Sequence, residues 1–428
     1  MTKQLIEAYA SQAESLHGIL AGMDDVRTSA MSSFLEQGFP GTKNEEWRYS
    51  DMRAFHKKHF ELVSGKSGIA IPEPLGDYCA RFVFINGRYD EESSDIGQVW
   101  KDISIRPLAN HFMANESRVD ELIKGSDSVS LLNTALMRDG LVLSIPSNVG
   151  IGRPIEILHV MDGSDNAAAH VRHVIELGEG SSVSIIERFV GDDSAYWTNS
   201  VLQARITENA KLRHIRVQEE GANALHTAKA YVNLGGGSEY ICTNVALGGA
   251  MSRFDANVRI LMDGAQATVN GVALAATGQS HDMHTHVSHL SGNAVSEQVF
   301  RTIADSRGTT SFQGKVTVAE DAQRTLANQS FKALIFDKTA QANAKPELEI
   351  LADDVKCSHG ATVGQLDDKA IFYLTSRGID PETARQMLVS AFVAEALEKV
   401  DFDDVKTSLM GRIASWMLER NADKGTGG

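Results

Sequence analysis

The sequence predicts a mainly β protein, a parallel β-helix between two helical ends. From about Asp139, short β runs broken by Gly, Asn and Asp replace helical periodicity for roughly two hundred residues. Within this region a strand, tight turn, strand unit recurs, with turn centres near Gly180, Ala210, Gly237 and Ala265. The spacings are 30, 27 and 28 residues, a period typical of solenoids.

The N-terminal region, residues 1–125, is predicted to be a small, mainly helical domain. Apolar residues recur every three or four positions from Leu5 to Leu20, which indicates an amphipathic helix. A second helix is expected over Asp25–Glu36. The apolar run Arg81–Ile85, followed by Asn-Gly, predicts a strand that ends in a turn.

The β region is expected to span residues 126–368. Its strands alternate apolar and polar side chains, as where Ile215 and Val217 flank Arg216. A β-sandwich is the alternative, because evenly spaced short strands are also its signature. The approximate period and the long uninterrupted series favour the β-helix. The ends of a solenoid need covering, and we expect the terminal helices to cap them.

Residues 369–428 are predicted to form a C-terminal helical domain. Asp380-Pro381 is a favourable helix start, since Asp is a good N-cap and proline is tolerated at the first helical position. Two helices of this region carry a stripe of apolar side chains. A stripe of this kind forms either the core of a hairpin or a docking face for a partner. The predicted stripes are Ala384, Leu388 and Phe392 in one helix and Val405, Leu409, Ile413 and Trp416 in the last.

Composition excludes several classes of function. A net charge of -15 disfavours binding to nucleic acid and to anionic membranes. No apolar run reaches about 18 residues and no signal segment is evident, so we expect a cytoplasmic protein without a membrane span. Three widely spaced cysteines form no CxxC pair, which leaves no disulfide framework and no complete local metal motif.

Four histidines, His281, His284, His286 and His289, lie within nine residues and suggest a metal site. On a continuous strand, however, His284 and His286 face one side while His281 and His289 face the other. Histidines stacked on a β coil are therefore favoured over a single local site.

Cys357 and His359 are two residues apart and face the same side of an extended strand. Both can bind iron or zinc, but structural sites need about four ligands. The pair is either a buried cysteine beside a polar histidine or half of a site completed elsewhere. No catalytic triad and no phosphate-binding loop is evident in the sequence.

Several long segments carry a resemblance to a known family. They include PGTKNEEWRYSDM, LLNTALMRDGLVLSIPSNV, HDMHTHVSHL and, most specifically, KPELEILADDVKCSHGATVGQLDDKAIFYLTSRGI. Over nearly its whole length the chain resembles the SufB/SufD family of iron-sulfur cluster assembly proteins. It is most similar to the SufD branch, since Phe331 stands near the position where SufB relatives carry a cysteine.

The resemblance implies a right-handed parallel β-helix that serves as a non-catalytic scaffold subunit of the SUF system. It implies pairing with a SufB-like subunit through the β-helices and binding of a SufC-like ATPase through the C-terminal helices. A transient iron-sulfur cluster shared with the SufB-like subunit would be held at the interface, with Cys357 and His359 as metal ligands and no cofactor bound tightly by the isolated chain.

Some expectations stay open from the sequence. The sequence does not decide whether a reduced flavin binds the complex or whether the isolated chain forms a homodimer.

Two alternatives come from other classes of protein. A β-helix carbohydrate-active enzyme would account for the repeat and the acidic composition, and a metal-dependent enzyme would account for the histidine-rich segment.

Overall fold

The core of the molecule is a β-solenoid of about eight turns. The computed structural model describes residues 2–41, 43–50, 52–63, 68–97, 103–114 and 125–425. Each coil contributes one strand to each of two long sheets, and neighbouring coils within the solenoid pair in parallel. Gln266 lies opposite Glu239, and Leu326 lies opposite Val295, so the coil length stays close to the predicted period. The parallel solenoid is confirmed and the antiparallel sandwich is excluded.

The strands of the two sheets alternate along the chain. The first sheet contains β4 (Ser104–Pro107), β5 (Leu141–Ile145), β7 (Ala167–Leu177), β9 (Trp197–Ile206), β11 (Leu225–Leu234), β13 (Met251–Ile260), β15 (Ser280–His289), β17 (Thr309–Val318) and β19 (Gln341–Ile350), with β1 (Glu61–Leu62) beside β7. The second contains β2 (Ala80–Ile85), β3 (Arg88–Tyr89), β6 (Ile155–Met161), β8 (Ser182–Gly191), β10 (Lys211–Gln218), β12 (Glu239–Ala246), β14 (Gln266–Ala275), β16 (Val295–Ala304), β18 (Leu326–Ile335) and β20 (Lys356–Gly364).

One corner of each coil from β5–β6 to β17–β18 is built from a residue with positive φ. Each of these residues donates its N–H to a carbonyl of the next coil, so the turns form a hydrogen-bonded column. Two of the predicted turn centres, Gly180 and Gly237, occupy this position, and the other two, Ala210 and Ala265, directly follow it. The column consists of Asn148, Gly180, Asn209, Gly237, Gly264, Asn293 and Arg324, with φ between 50° and 77°.

The N-terminal helices pack on the outer face of the first sheet. They are α1 (Lys3–Glu14), α2 (Asp24–Gln37), α3 (Leu108–Ala114) and α4 (Ser128–Leu136). Helix α2 confirms the second predicted helix. Helix α1 confirms the first only in part, because it ends at Glu14, before Leu16 and Leu20; Thr2 caps it through the N–H of Leu5. The apolar side chains of both helices cluster with Trp197 and Met251 of the sheet. The predicted strand before Asn86 is also confirmed, and it pairs with β6 inside the second sheet.

A buried arginine connects the N-terminal motif PGTKNEEWRYSDM to the solenoid. Thr42 and Asp51 of this motif lie outside the described residues. The Arg253 guanidinium contacts the carboxylate of Asp255 at 2.7 and 3.0 Å and that of Asp282 at 2.6 Å. It also donates to the carbonyl of Glu46 at 2.8 Å and lies 4.0 Å from the centre of the Trp47 ring. This motif is therefore accounted for by packing.

The C-terminal helices are α5 (Asp368–Ser376), α6 (Pro381–Ala394) and α7 (Asp403–Gly425). Asp380 caps α6 as predicted, by accepting from the N–H groups of Glu382 and Thr383. The buried stripe of α6 is Ala384, Val389 and Val393, so the predicted Ala384 is confirmed and the other two lie one residue on from the predicted Leu388 and Phe392. In α7 the predicted Val405, Leu409 and Ile413 are buried, whereas Trp416 is half-buried and Met417 takes its place.

The position of these two helices corrects one expectation. Their apolar side chains cluster with outward-facing residues of the second sheet such as Ile215 and Val245. Helices α6 and α7 therefore lie along the side of the solenoid, as the N-terminal helices do on the first sheet, and the prediction that the terminal helices cap its ends is wrong. The division of the chain into domains at residues 125 and 368 stays a prediction.

The last coil is consequently open. Strands β19 and β20 each have a single strand neighbour, and residues 358 to 364 of β20 are all exposed. In the described part of the chain, no helix combines the length and the apolar character needed to cross a membrane.

A candidate metal half-site at the open end of the solenoid

Cys357 and His359 lie on β20, the last strand of the second sheet. Cys357 pairs with Ala327 and His359 with Gln329 of β18. Ala327 and Gln329 are buried and point into the solenoid, so their partners face the interior axis as well. The predicted common face of Cys357 and His359 is thus confirmed, and it is the inner face of the uncovered coil.

The two side chains differ in exposure. Cys357 is partly buried against the apolar core, and this burial raises the pKa of its thiol. His359 is exposed. Thiolate and imidazole are ligands suited to iron and zinc, but the chain brings no further described ligand to them, and such sites need about four. The described residues therefore supply two candidate ligands on an uncovered coil and no complete metal site.

The phenylalanine near the SufB cysteine position is part of the core. Phe331 pairs with Ala361 on β20 and is 1% exposed. Its ring stacks on that of Phe312, with centroids 5.6 Å apart and planes 6° from parallel. This inward position is therefore filled by an apolar ring and offers no ligand beside Cys357 and His359.

The histidine-rich segment forms β15, and the strand distributes its imidazoles as predicted. His281 and His289 are buried inside the solenoid, and His289 Nε2 lies 2.8 Å from the hydroxyl of Ser296. His284 and His286 face outward, where His284 Nδ1 lies 2.9 Å from the carboxylate of Asp255. The four rings do not converge on one site, which disfavours the metalloenzyme alternative based on this segment.

A different cluster was missed from the sequence. Within the described residues, one group of three metal-ligating side chains comes together: His159, His173 and Glu187, all buried. The Nε2 atoms of the two histidines are 3.1 Å apart. Strands β6 and β8 are neighbours in the second sheet and β7 faces them from the first sheet across the interior, so no local spacing could have signalled the cluster.

Hydrogen bonding argues against a metal at this cluster. His173 Nδ1 accepts the N–H of Leu141 at 3.0 Å, so the proton of the neutral ring is on Nε2 and is donated to His159. A metal on His173 Nε2 would require an imidazolate. Metal-bound histidines instead donate through their other nitrogen.

The third member of the cluster is already satisfied. The Glu187 carboxylate is 2.9 Å from Arg216 Nε, 2.9 Å from the Ser200 hydroxyl and 3.0 Å from His214 Nε2. Burial raises the pKa of Glu187, but Arg216 and His214 together hold it well below its usual range. The cluster is a buried polar network that stabilises the interior.

Together, the filled interior and the uncovered last coil that carries Cys357 and His359 define a parallel β-solenoid protein with one open end. Comparison with known proteins gives the family. The SUF system FeS cluster assembly SufBD core domain matches residues 159–392, and the SufBD protein N-terminal region matches residues 1–157. The chain belongs to this SufBD family, as its motifs led us to expect.

Relatives from several organisms cover most of the chain. SufD of Escherichia coli K12, an iron-sulfur cluster assembly protein, is 29% identical over 392 residues, which are 90% of each chain. The SufBD family protein slr0076 of Synechocystis is 29% identical over 87% of this chain and 86% of its own length. The chloroplastic protein ABCI7 of Arabidopsis thaliana is 28% identical over 90% of this chain and 86% of its own.

Proposed function

We propose that this chain is a non-catalytic, cytoplasmic subunit of a SUF iron-sulfur cluster assembly scaffold. The observation that carries the proposal is the position of Cys357 and His359 on the inner face of an uncovered terminal coil. A partner covering this end would supply the remaining ligands. The cluster is then a transient product held between two subunits, and the isolated chain binds no cofactor tightly.

The partner at the open end is a SufB-like subunit. Strands β19 and β20 leave two parallel edges unpaired, and an unpaired edge is a template for another strand. Apolar side chains are exposed around them, including Ile350, Leu351 and Val363. A second solenoid that met this end would extend both sheets and bury these side chains. We expect the coil to be right-handed, as parallel crossover connections almost always are.

The SufC-like ATPase is expected on the C-terminal helices. Helix α5 has no buried residue, and its Phe372 and Tyr373 are 74% and 56% exposed. Beside it, Phe336, Leu366 and Ile371 line a cavity of about 310 Å³. Exposed aromatic rings next to a surface cavity of mixed polar and apolar lining are typical of a protein-protein contact.

Co-expression with SufB-like and SufC-like partners tests the proposal. We expect a stoichiometric complex, in which His359→Ala leaves assembly intact but strongly reduces cluster formation. His286→Ala is the matched control, because this histidine also lies on a coil but faces outward and away from the open end. Failure to recover either partner, or equal cluster formation by His359→Ala and the control, would refute the proposal.

A further inference from the structure

The residue beside His359 in the sheet is a buried glutamine without hydrogen bonds. Gln329 is 1% exposed, and neither its side-chain oxygen nor its nitrogen has a partner. Its inward direction and its pairing with His359 place it one strand spacing, about 4.8 Å, from the histidine backbone. Buried polar groups are nearly always satisfied, so this amide calls for a partner absent from the isolated chain.

The next glutamine along the same inward row is different. Gln298 pairs with Gln329 through the β16–β18 register, and its oxygen accepts from the Thr285 hydroxyl at 2.6 Å. Only its nitrogen lacks a partner. The residue with a free acceptor oxygen is therefore the one that adjoins the half-site.

We propose that Gln329 is a positioning residue for His359. When a partner covers the open end, the Gln329 oxygen accepts the N–H of one His359 ring nitrogen, which leaves the other nitrogen to bind the metal. In the isolated chain no described residue hydrogen-bonds to the His359 ring, which is exposed to water. Metal-bound histidines depend on such an acceptor for their orientation, and its loss weakens metal binding about 10- to 100-fold. The inference rests on the proposed function, because it assumes that His359 is a ligand.

Variants at two glutamines separate this role from packing. Gln329→Met keeps the size of the side chain and removes both polar atoms. Gln329→Glu keeps an acceptor oxygen but loses the N–H donor. Gln298→Met removes an equally buried amide one coil deeper, where it does not adjoin His359, and serves as the control.

The test measures the affinity of Co²⁺ for the complex with SufB-like and SufC-like partners, and binding is followed by the visible spectrum of the metal. Only the binding that His359→Ala abolishes is assigned to the half-site. Complex recovery and the thermal midpoint are recorded for each variant. We expect Gln329→Met to weaken this binding at least tenfold, with Gln329→Glu and Gln298→Met close to the unaltered complex.

The possible contradictions are distinct. Unchanged binding in Gln329→Met, or equal weakening in Gln298→Met, would overturn the role of Gln329 while leaving the proposed function standing. If Gln329→Met does not assemble, Gln329→Glu decides alone, and at least tenfold weaker binding in that variant overturns the role. If His359→Ala removes no Co²⁺ binding, the ligand assignment itself fails.

Discussion

The histidines of β15 show how one strand places the same side chain in two environments. His281 and His289 point into the solenoid, and burial lowers the pKa of each ring to about 4. His284 points outward and pairs with Asp255. The neutral, buried rings contribute to the stability of the core, and their contribution depends on pH.

Acid should destabilise the protein through these two rings. In the unfolded chain their pKa is about 6.5, so between pH 6.5 and 4 the unfolded state binds protons that the folded state does not. The stability is fully present above pH 6.5 and is lost as the pH falls toward 4, by up to about 3 kcal/mol per ring. Urea unfolding of the unaltered chain and of His281→Gln/His289→Gln across this range measures it. An equally steep pH dependence in the double variant would contradict this prediction.

Replacing Arg253 should lower the stability of the folded protein more than most single substitutions do. Arg253→Ala removes the guanidinium that pairs with both Asp255 and Asp282, and breaking such a buried pair costs about 3–5 kcal/mol. It also releases the segment around Trp47, which limited proteolysis would detect as earlier cleavage before residue 60. Arg259→Ala is the control, because Arg259 lies on the same strand and face but is exposed. Equal unfolding midpoints for the two variants would refute the anchoring role.

In the column of turn residues with positive φ, the effect of a substitution on the free energy of unfolding should depend on whether glycine is gained or lost. Arg324 occupies a conformation that favours Gly or Asn, so Arg324→Gly should stabilise by about 1 kcal/mol. Gly237→Ala should destabilise by at least as much, since its φ is +61° and the new Cβ would lie 2.5 Å from the Asn209 amide oxygen. Urea midpoints measure both. Two changes of the same sign would show that φ does not control stability at this corner.

The elements were predictable where the signal is local. The caps, the Asn-Gly turn and the glycines at two corners depend on residues close in sequence, so they identified α6, β2 and the period of the coil. The buried side of α6 lies one residue on from the predicted one. The terminal helices were expected over the ends of the solenoid, but α6 and α7 lie along its side. Both depend on which apolar face of a sheet is left uncovered, and a helical stripe does not contain that information.

In the candidate site too, only features that depend on residues close in sequence could be predicted. Cys357 and His359 are two residues apart, so strand alternation alone places them on one face. The buried group around Glu187 and the neighbour Gln329 are brought to their partners by strand register across coils, over separations that the sequence does not mark. Sequence patterns therefore placed the two candidate ligands on one face and missed what surrounds them.

For the whole molecule, the open end should control assembly. Val363 is 48% exposed on the inner face of β20, and a lysine there would be buried without a partner when a second subunit docks. Val363→Lys should therefore sharply lower recovery of the SufB-like subunit while leaving the thermal midpoint of the isolated chain unchanged. Leu418→Lys, at an exposed position on α7, is the control. Equal recovery with the two variants would place the interface elsewhere.

The anchoring of the N-terminal segment also has a consequence for synthesis. Hydrogen bonds join Glu46 to Arg253 and Gln313, and Glu45 to Lys345, across 207, 267 and 300 positions. At about 5–20 residues per second, translation takes roughly 10 to 60 s to deliver these partners. During that interval Trp47 has left the ribosome without the Arg253 side chain against which its ring packs. We therefore expect chaperones that shield apolar segments to bind the nascent chain before the middle coils are complete.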